Sequence, residues 1–244
     1  MTAEDALTAA EQHLAAFDPA AAENALTAEW RDMSDAPADV LVAMAMVRAQ
    51  QYRLGDAEQL MRRAVAAEPH SLRCNIGLGH VLLSSEKPSE AADAYASAYR
   101  IDPNWPGLLQ TYVHACYGAG RYDEAEKGAR LLLTQDPSAA AWDLLSCALR
   151  GQGRAQEALD AANEALKLNA SHVGARHSQG AALVKLDRAK EALQIFDRLE
   201  ADGASGAALS YNRAAALEKL GRGSEAKALQ AETARRWPSA RRPN

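Results

Sequence analysis

Apolar and polar residues follow one another along this chain with the spacing of amphipathic helices. In successive segments of roughly a dozen residues, apolar side chains recur at i, i+3, i+4 and i+7, whereas the β-branched runs typical of strands are scarce. Apolar residues make up 48% of the chain, much of it Ala, and aromatic residues only 5%. Because Ala is the best helix former and lets helices approach closely, the pattern predicts an all-α protein.

The helical pattern returns about every 34 residues. Three segments end at Pro69, Pro103 and Pro137, each 34 residues after the last. One helix pair cannot bury both of its apolar faces, so it must stack on its neighbours. The period predicts one continuous domain, 38–240, of six repeats. These are 38–71, 72–105, 106–138, 139–172, 173–206 and 207–240. Alanine occupies the same place in each of them, at Ala57, Ala91, Ala125, Ala158, Ala192 and Ala226.

Residues 1–37 predict another helix pair, about 3–16 and 19–33, which is out of register with the repeat. Its expected inner face consists of Leu7, Leu14, Phe17, Leu26 and Trp30. We interpret this pair as a degenerate first repeat that caps the stack.

The other end of the chain has its own pattern. In the last repeat, Gln230 and Thr233 replace residues that elsewhere face a next helix, which predicts a polar outer face. Residues 241–244 are expected to be a tail.

The stretch Gly118–Ala125, "GAGRYDEA", has two interpretations: a phosphate-binding loop or a tight turn between helices. A phosphate loop would be a single site after a strand, whereas this stretch is one of six related copies. Gly120, Gly153 and Gly221 occupy equivalent positions, where a residue without Cβ ends a helix at little cost. We therefore interpret the stretch as a helix–turn–helix elbow.

The repeats resemble the tetratricopeptide repeat. The second repeat has this family's succession of a leucine, a small residue, alanine, an aromatic, alanine and proline, at Leu78, Gly79, Ala91, Tyr95, Ala98 and Pro103. Leu82 stands where the family pattern has a further aromatic residue. The likeness spans 38–240. It implies a right-handed superhelical α-solenoid of stacked antiparallel helix pairs, with a concave groove lined by the first helix of each pair.

The resemblance also implies which side chains line that groove. It would be apolar towards the N-terminal end and polar in the middle, which suits a peptide or protein segment oriented by Arg73 and Arg150. Val42 and Met46 stand where relatives that bind chaperone tails carry a Lys/Asn clamp, so such tails are not expected partners. The candidate groove residues are Val42, Met46, Arg73, Ile76, His80, Gln110, His114, Tyr117, Asp143, Cys147, Arg150, His177, Lys185 and Tyr211.

Charge and composition narrow the class of function. The formal net charge of −5 disfavours nucleic acid as a partner, including the RNA bound by pentatricopeptide-like repeats. The three cysteines are far apart and suggest no disulfide framework. No apolar run approaches the ~20 residues of a membrane span, and the N-terminus lacks the apolar core of a signal peptide. We expect a cytoplasmic, bacterial-like protein without membrane insertion.

Candidate chemistry is sparse. Met46, His80, His114 and Cys147 recur on successive repeats, but equivalent positions on neighbouring helices lie ~8–10 Å apart, too far for one metal ion. The chain lacks the Gly-x-Ser-x-Gly, His-Glu-x-x-His and Walker motifs. We therefore expect a non-catalytic interaction scaffold with no metal and no cofactor. The alternative is the recognition module of a larger enzyme, of the sulfotransferase, glycosyltransferase or 2-oxoglutarate oxygenase type.

Overall fold

A computed structural model describes residues 2–238, which form helices and no strand. The all-α prediction is therefore confirmed. Fourteen helices follow one another in this range: α1 Ala3–Ala15, α2 Pro19–Glu29, α3 Ala38–Gln50, α4 Leu54–Ala67, α5 Leu72–Ser84, α6 Pro88–Ile101, α7 Leu108–Gly118, α8 Tyr122–Gln135, α9 Ala139–Gly151, α10 Ala155–Leu168, α11 Val173–Lys185, α12 Ala189–Ala201, α13 Ala207–Lys219 and α14 Gly223–Arg236. The predicted tail, 241–244, lies outside the described residues.

The chain forms two compact units, the first ending at Ala119 and the second beginning at Gly120. In the first unit, α1 packs on α2, α3 on α4 and α5 on α6, and each pair contacts the next. The first helices of these pairs also touch one another, α1 with α3 and α3 with α5. In the second unit, α9, α11 and α13 form the corresponding row. Each unit is therefore a stack of helix pairs in sequence order.

The repeated alanine is a core residue in every repeat. All six copies, from Ala57 to Ala226, are completely buried. Aromatic side chains pack against glycine in the same way: a Cβ on Gly79 would lie 2.6 Å from Tyr95, and one on Gly180 would lie 2.5 Å from Phe196. Small residues thus set the close approach of the two helices in a pair.

The turn between the two helices of a pair repeats one backbone conformation. Gly120, Gly153 and Gly221 have φ values of 74°, 80° and 75°, as their proposed role in the elbow requires. The equivalent residues in the other three repeats are Tyr52, Glu86 and Asp187, with φ near 60°. The left-handed conformation is thus conserved by position even where the residue is not glycine.

Two expectations about the ends of the chain are wrong. Phe17 does not join the inner face of its helix pair: it is 83% exposed, because it occupies the left-handed turn after α1. Thr233 is buried rather than part of a polar outer face, and its hydroxyl is satisfied by donating to the Leu229 carbonyl oxygen at 2.7 Å. Gln230 does bond to a neighbour at the surface, donating to Glu218.

Candidate functional site

The first unit contains an apolar cavity of about 570 Å³ between α3 and α5. Its volume lies in the range of about 300–1,000 Å³ that is usual for ligand sites. Five of the sequence-predicted groove residues line it: Val42, Met46, Arg73, Ile76 and His80. The remaining lining residues are Ala49, Gln50, Met61, Leu72, Gly77, Val81, Ser84 and Trp105.

The floor of the cavity is Met61 of α4, which reaches it through a gap in α5. That gap is Gly77, where an added Cβ would lie 2.9 Å from the Met61 methyl carbon. Sequence reasoning missed both residues, although a glycine in the middle of a helix is itself a signal of close approach. The missing side chain lets a second-layer methionine form part of the binding surface.

Trp105 closes one side of the cavity. It lies in the connection between α6 and α7, between two prolines, and 49% of it is exposed. A half-exposed tryptophan beside an apolar cavity is typical of the anchors found in binding sites. The sequence signal was an aromatic residue in a Pro-flanked loop, which the repeat pattern does not cover.

A smaller cavity of about 290 Å³ adjoins the first towards α1. It is lined by Glu11, Leu14, Ala15, Met46 and Arg73, so the two cavities share Met46 and Arg73. Met46 is 43% exposed and stands between them. Together the two cavities form a trough across α1, α3 and α5, with Met46 as a ridge.

The polar groups at the mouth of the trough are fixed by hydrogen bonds and ion pairs. Arg73 Nη2 donates to Glu11 Oε1 at 2.5 Å, and Arg73 Nη1 lies 3.8 Å from Asp39 Oδ1. Gln50 Nε2 donates to the Leu14 carbonyl oxygen at 3.1 Å, which ties α3 to the end of α1. One cation therefore faces two carboxylates at this mouth.

His80 adds no positive charge to the mouth at neutral pH. Partial burial of its ring lowers the pKa, and the ring packs edge-on against Tyr95 with centroids 5.8 Å apart. The imidazole is therefore an uncharged polar group beside the cavity. The other predicted groove residues of the first unit, Gln110, His114 and Tyr117, lie on α7 and do not line either cavity.

In the second unit, the predicted residues Asp143 and Cys147 of α9 belong to a hydrogen-bonded polar cluster with Ser178 of α11. Ser178 Oγ donates to Asp143 Oδ1 at 2.6 Å and lies 3.5 Å from Cys147 Sγ. Burial, and then the charge of Asp143, raise the pKa of the Cys147 thiol. The thiol is therefore protonated at neutral pH and is not an activated nucleophile.

The remaining predicted residues of the second unit have structural or exposed positions. His177 Nε2 lies 3.0 Å from Asn212 Nδ2, and burial followed by the charge of Arg150 lowers its pKa. Tyr211 is buried and Lys185 is exposed. Among residues 2–238, no three His, Cys, Asp or Glu side chains come together as metal ligands. None of the helices described is long and apolar enough to span a bilayer.

Models of the tetratricopeptide repeat match the chain at 42–106, 82–146 and 144–207, and one of them alone matches more than half of its length. The chain belongs to the tetratricopeptide repeat family. The resemblance found in the sequence is thus confirmed, and with it the all-α arrangement of stacked helix pairs. Proteins of this family generally bind other proteins or peptides.

Relatives of this tetratricopeptide chain share its fold over most of its length. A tetratricopeptide repeat protein from Parabacteroides merdae superposes with a TM-score of 0.75 at 14% identity, covering 94% of this chain and 98% of its own. PilF from Pseudomonas aeruginosa superposes with a TM-score of 0.56 at 19% identity, covering 83% and 93%. At these identities the likeness concerns the fold alone.

A sequence match to an enzyme is much shorter. The chain is 35% identical over 72 residues to mouse protein O-mannosyl-transferase TMTC3. That match covers 28% of this chain and 8% of the transferase. It therefore concerns a few repeats rather than a whole enzyme.

Proposed function

We propose that this protein is a non-catalytic interaction scaffold that binds a peptide or protein segment in the trough of its first unit. The observation that carries the proposal is the apolar cavity between α3 and α5, whose lining includes Met46, Ile76 and the half-exposed Trp105. Apolar anchors of a bound segment would fill the cavity, and the polar mouth would orient the segment.

The chemistry of the described residues supports a binding role over catalysis. Burial raises the pKa of the thiols of Cys74 and Cys147, and burial lowers the pKa of His80 and His177. A thiol that stays protonated is a poor nucleophile, and an imidazole whose pKa is lowered is a weak base. The polar cluster around Asp143 fits a structural role, because its members satisfy one another.

The test is a pull-down with the full chain, comparing wild type with Met46→Gln/Ile76→Gln. Glutamine has about the size of these side chains but replaces apolar surface by a polar amide, and neither residue is fully buried. The control is Leu131→Gln/Leu168→Gln, which changes two exposed apolar residues, 39% and 56% exposed, on α8 and α10. Proteins retained by wild type and by the control but lost by the trough variant support the proposal. An identical set of captured proteins from all three would refute it.

A second candidate function is favoured by the match to the O-mannosyl-transferase. In that case the repeats recognise a substrate or partner for a glycosyltransferase-type catalytic part carried elsewhere in a larger protein. The length of the open reading frame in the genome distinguishes the two. A catalytic domain encoded in the same frame would support the module, and its absence would support the free-standing scaffold.

A further inference from the structure

The two units differ strongly in charge. The first, up to Ala119, contains 8 Lys and Arg against 16 Asp and Glu, a formal charge of −8. The second contains 19 against 16, a formal charge of +3. The mild net charge of the whole chain conceals this difference. The apolar trough therefore lies in the strongly acidic unit.

The mouth of the trough also has a negative net charge. Among residues 2–238, Arg73 is the one Lys or Arg that lines either cavity, and it is paired with Glu11 and faces Asp39. These three side chains sum to one negative charge. His80 is neutral at pH 7 and does not change this balance. An anionic ligand would have to displace the carboxylates from Arg73 and enter an acidic field, whereas a cationic one would meet favourable charge.

The shape adds a second condition on the ligand. The trough has two apolar subsites, about 570 and 290 Å³, separated by the Met46 ridge. One compact apolar group would fill only one of them. A segment that presents two or more apolar side chains on one face would fill both and straddle the ridge. Methionine is well suited to such a ridge, because its flexible thioether adapts to the residues that pack on it.

We propose that the occupant of the trough is a cationic amphipathic segment of a partner protein, with apolar residues on one face and Lys or Arg on the other. This inference rests on the proposed function, because it specifies the chemistry of the segment bound in the same trough. The apolar face enters the two subsites. The basic face meets Glu11, Asp39 and the surrounding acidic unit.

The experiment uses calorimetric titration of the full chain with two synthetic peptides. Each is an amphipathic helix of about five turns, roughly 18 residues, with leucine on one face. One carries Lys on the other face, and the matched peptide carries Glu. We expect the Lys peptide to bind at least about tenfold more tightly, to weaken as salt is added, and to show a negative heat-capacity change from apolar burial.

Three variants connect any binding to the trough. Met46→Gln/Ile76→Gln should weaken the Lys peptide at least about tenfold, because it removes the apolar surface. Glu11→Gln should narrow the preference for Lys over Glu, because it leaves Arg73 with only the more distant Asp39. Glu29→Gln, at the exposed end of α2, changes the net charge equally but lies outside the trough and should leave both affinities unchanged.

Several results would overturn the inference. Tighter or equal binding of the Glu peptide would show that charge does not select the ligand. Lys-peptide binding that survives Met46→Gln/Ile76→Gln would place it elsewhere on the acidic surface. Self-association of the chain that this double variant abolishes would make a second copy the occupant. Binding of neither peptide would also reject the cationic segment, whereas the trough itself is judged separately by the pull-down.

Discussion

Replacing Gly79 by alanine tests how tightly the two helices of a repeat approach each other. The new Cβ would lie 2.6, 2.7 and 2.9 Å from three carbon atoms of the Tyr95 ring. Tyr95 is completely buried, so its rigid ring has no free space into which to move. Overpacking of this kind costs about 1–3 kcal/mol. The better helix propensity of alanine returns about 1 kcal/mol of that.

Gly55→Ala provides the matched control. Gly55 lies in the first turn of α4, and nothing is within 4 Å of the position of its Cβ. The Gly55→Ala variant should gain about 0.5 kcal/mol in the free energy of unfolding from helix propensity, without a steric cost. The two variants should therefore differ by about 0.5–2.5 kcal/mol in the free energy of unfolding, measured by urea denaturation followed by circular dichroism. Equal shifts in the two variants would refute the close approach.

The chain itself suggests how to rescue Gly79→Ala. Thirty-four residues earlier, the equivalent pair is Ala45 and Met61, both buried. Adding Tyr95→Met to Gly79→Ala copies that pair, and it should recover part of the lost stability because methionine is flexible. The coupling between the two changes, obtained from a double-mutant cycle, should be at least about 0.5 kcal/mol. Independent effects would mean that the two residues do not share the contact.

Tyr52→Gly should raise the free energy of unfolding by about 0.5–1 kcal/mol, since it removes left-handed strain from a residue that is 91% exposed; a lower urea midpoint would contradict this. Tyr95→Phe should be neutral or stabilise by up to about 1 kcal/mol, because the buried hydroxyl has no partner among the described residues; a loss of stability would reveal one. The hydrogen bond from Lys87 leads the contacts that lower the pKa of Glu58 below 4.5. The ion pairs of Glu58 therefore stabilise the fold at neutral pH, and this stabilisation is lost as the pH falls through the lowered pKa of Glu58. Glu58→Gln should cost about 0.5–1 kcal/mol in unfolding experiments at neutral pH and nothing in strong acid; a cost independent of pH would exclude the ion pairs as its source.

The fold could be predicted from the sequence because its determinants recur. An alanine recurs every 33 or 34 residues, and all six copies are buried. Because the same spacing is found six times, the assignment of helices in one repeat supports the assignment in the others. The same reasoning failed at Phe17, which occupies a left-handed turn outside the repeat pattern, and at Thr233, which is buried although it is polar.

The candidate trough could be predicted only in part, for a related reason. Val42, Met46 and Ile76 line it, and they stand at the positions where the resemblance to the family implies a groove. Its floor and side depend on residues that depart from the repeat pattern. Gly77 has no side chain and so lets Met61 reach the cavity, and Trp105 lies in a connection that the family pattern leaves variable. A repeat pattern reports what every unit must share in order to stack. The residues that distinguish this trough are those in which one repeat differs from the others, and a pattern common to all repeats does not include them.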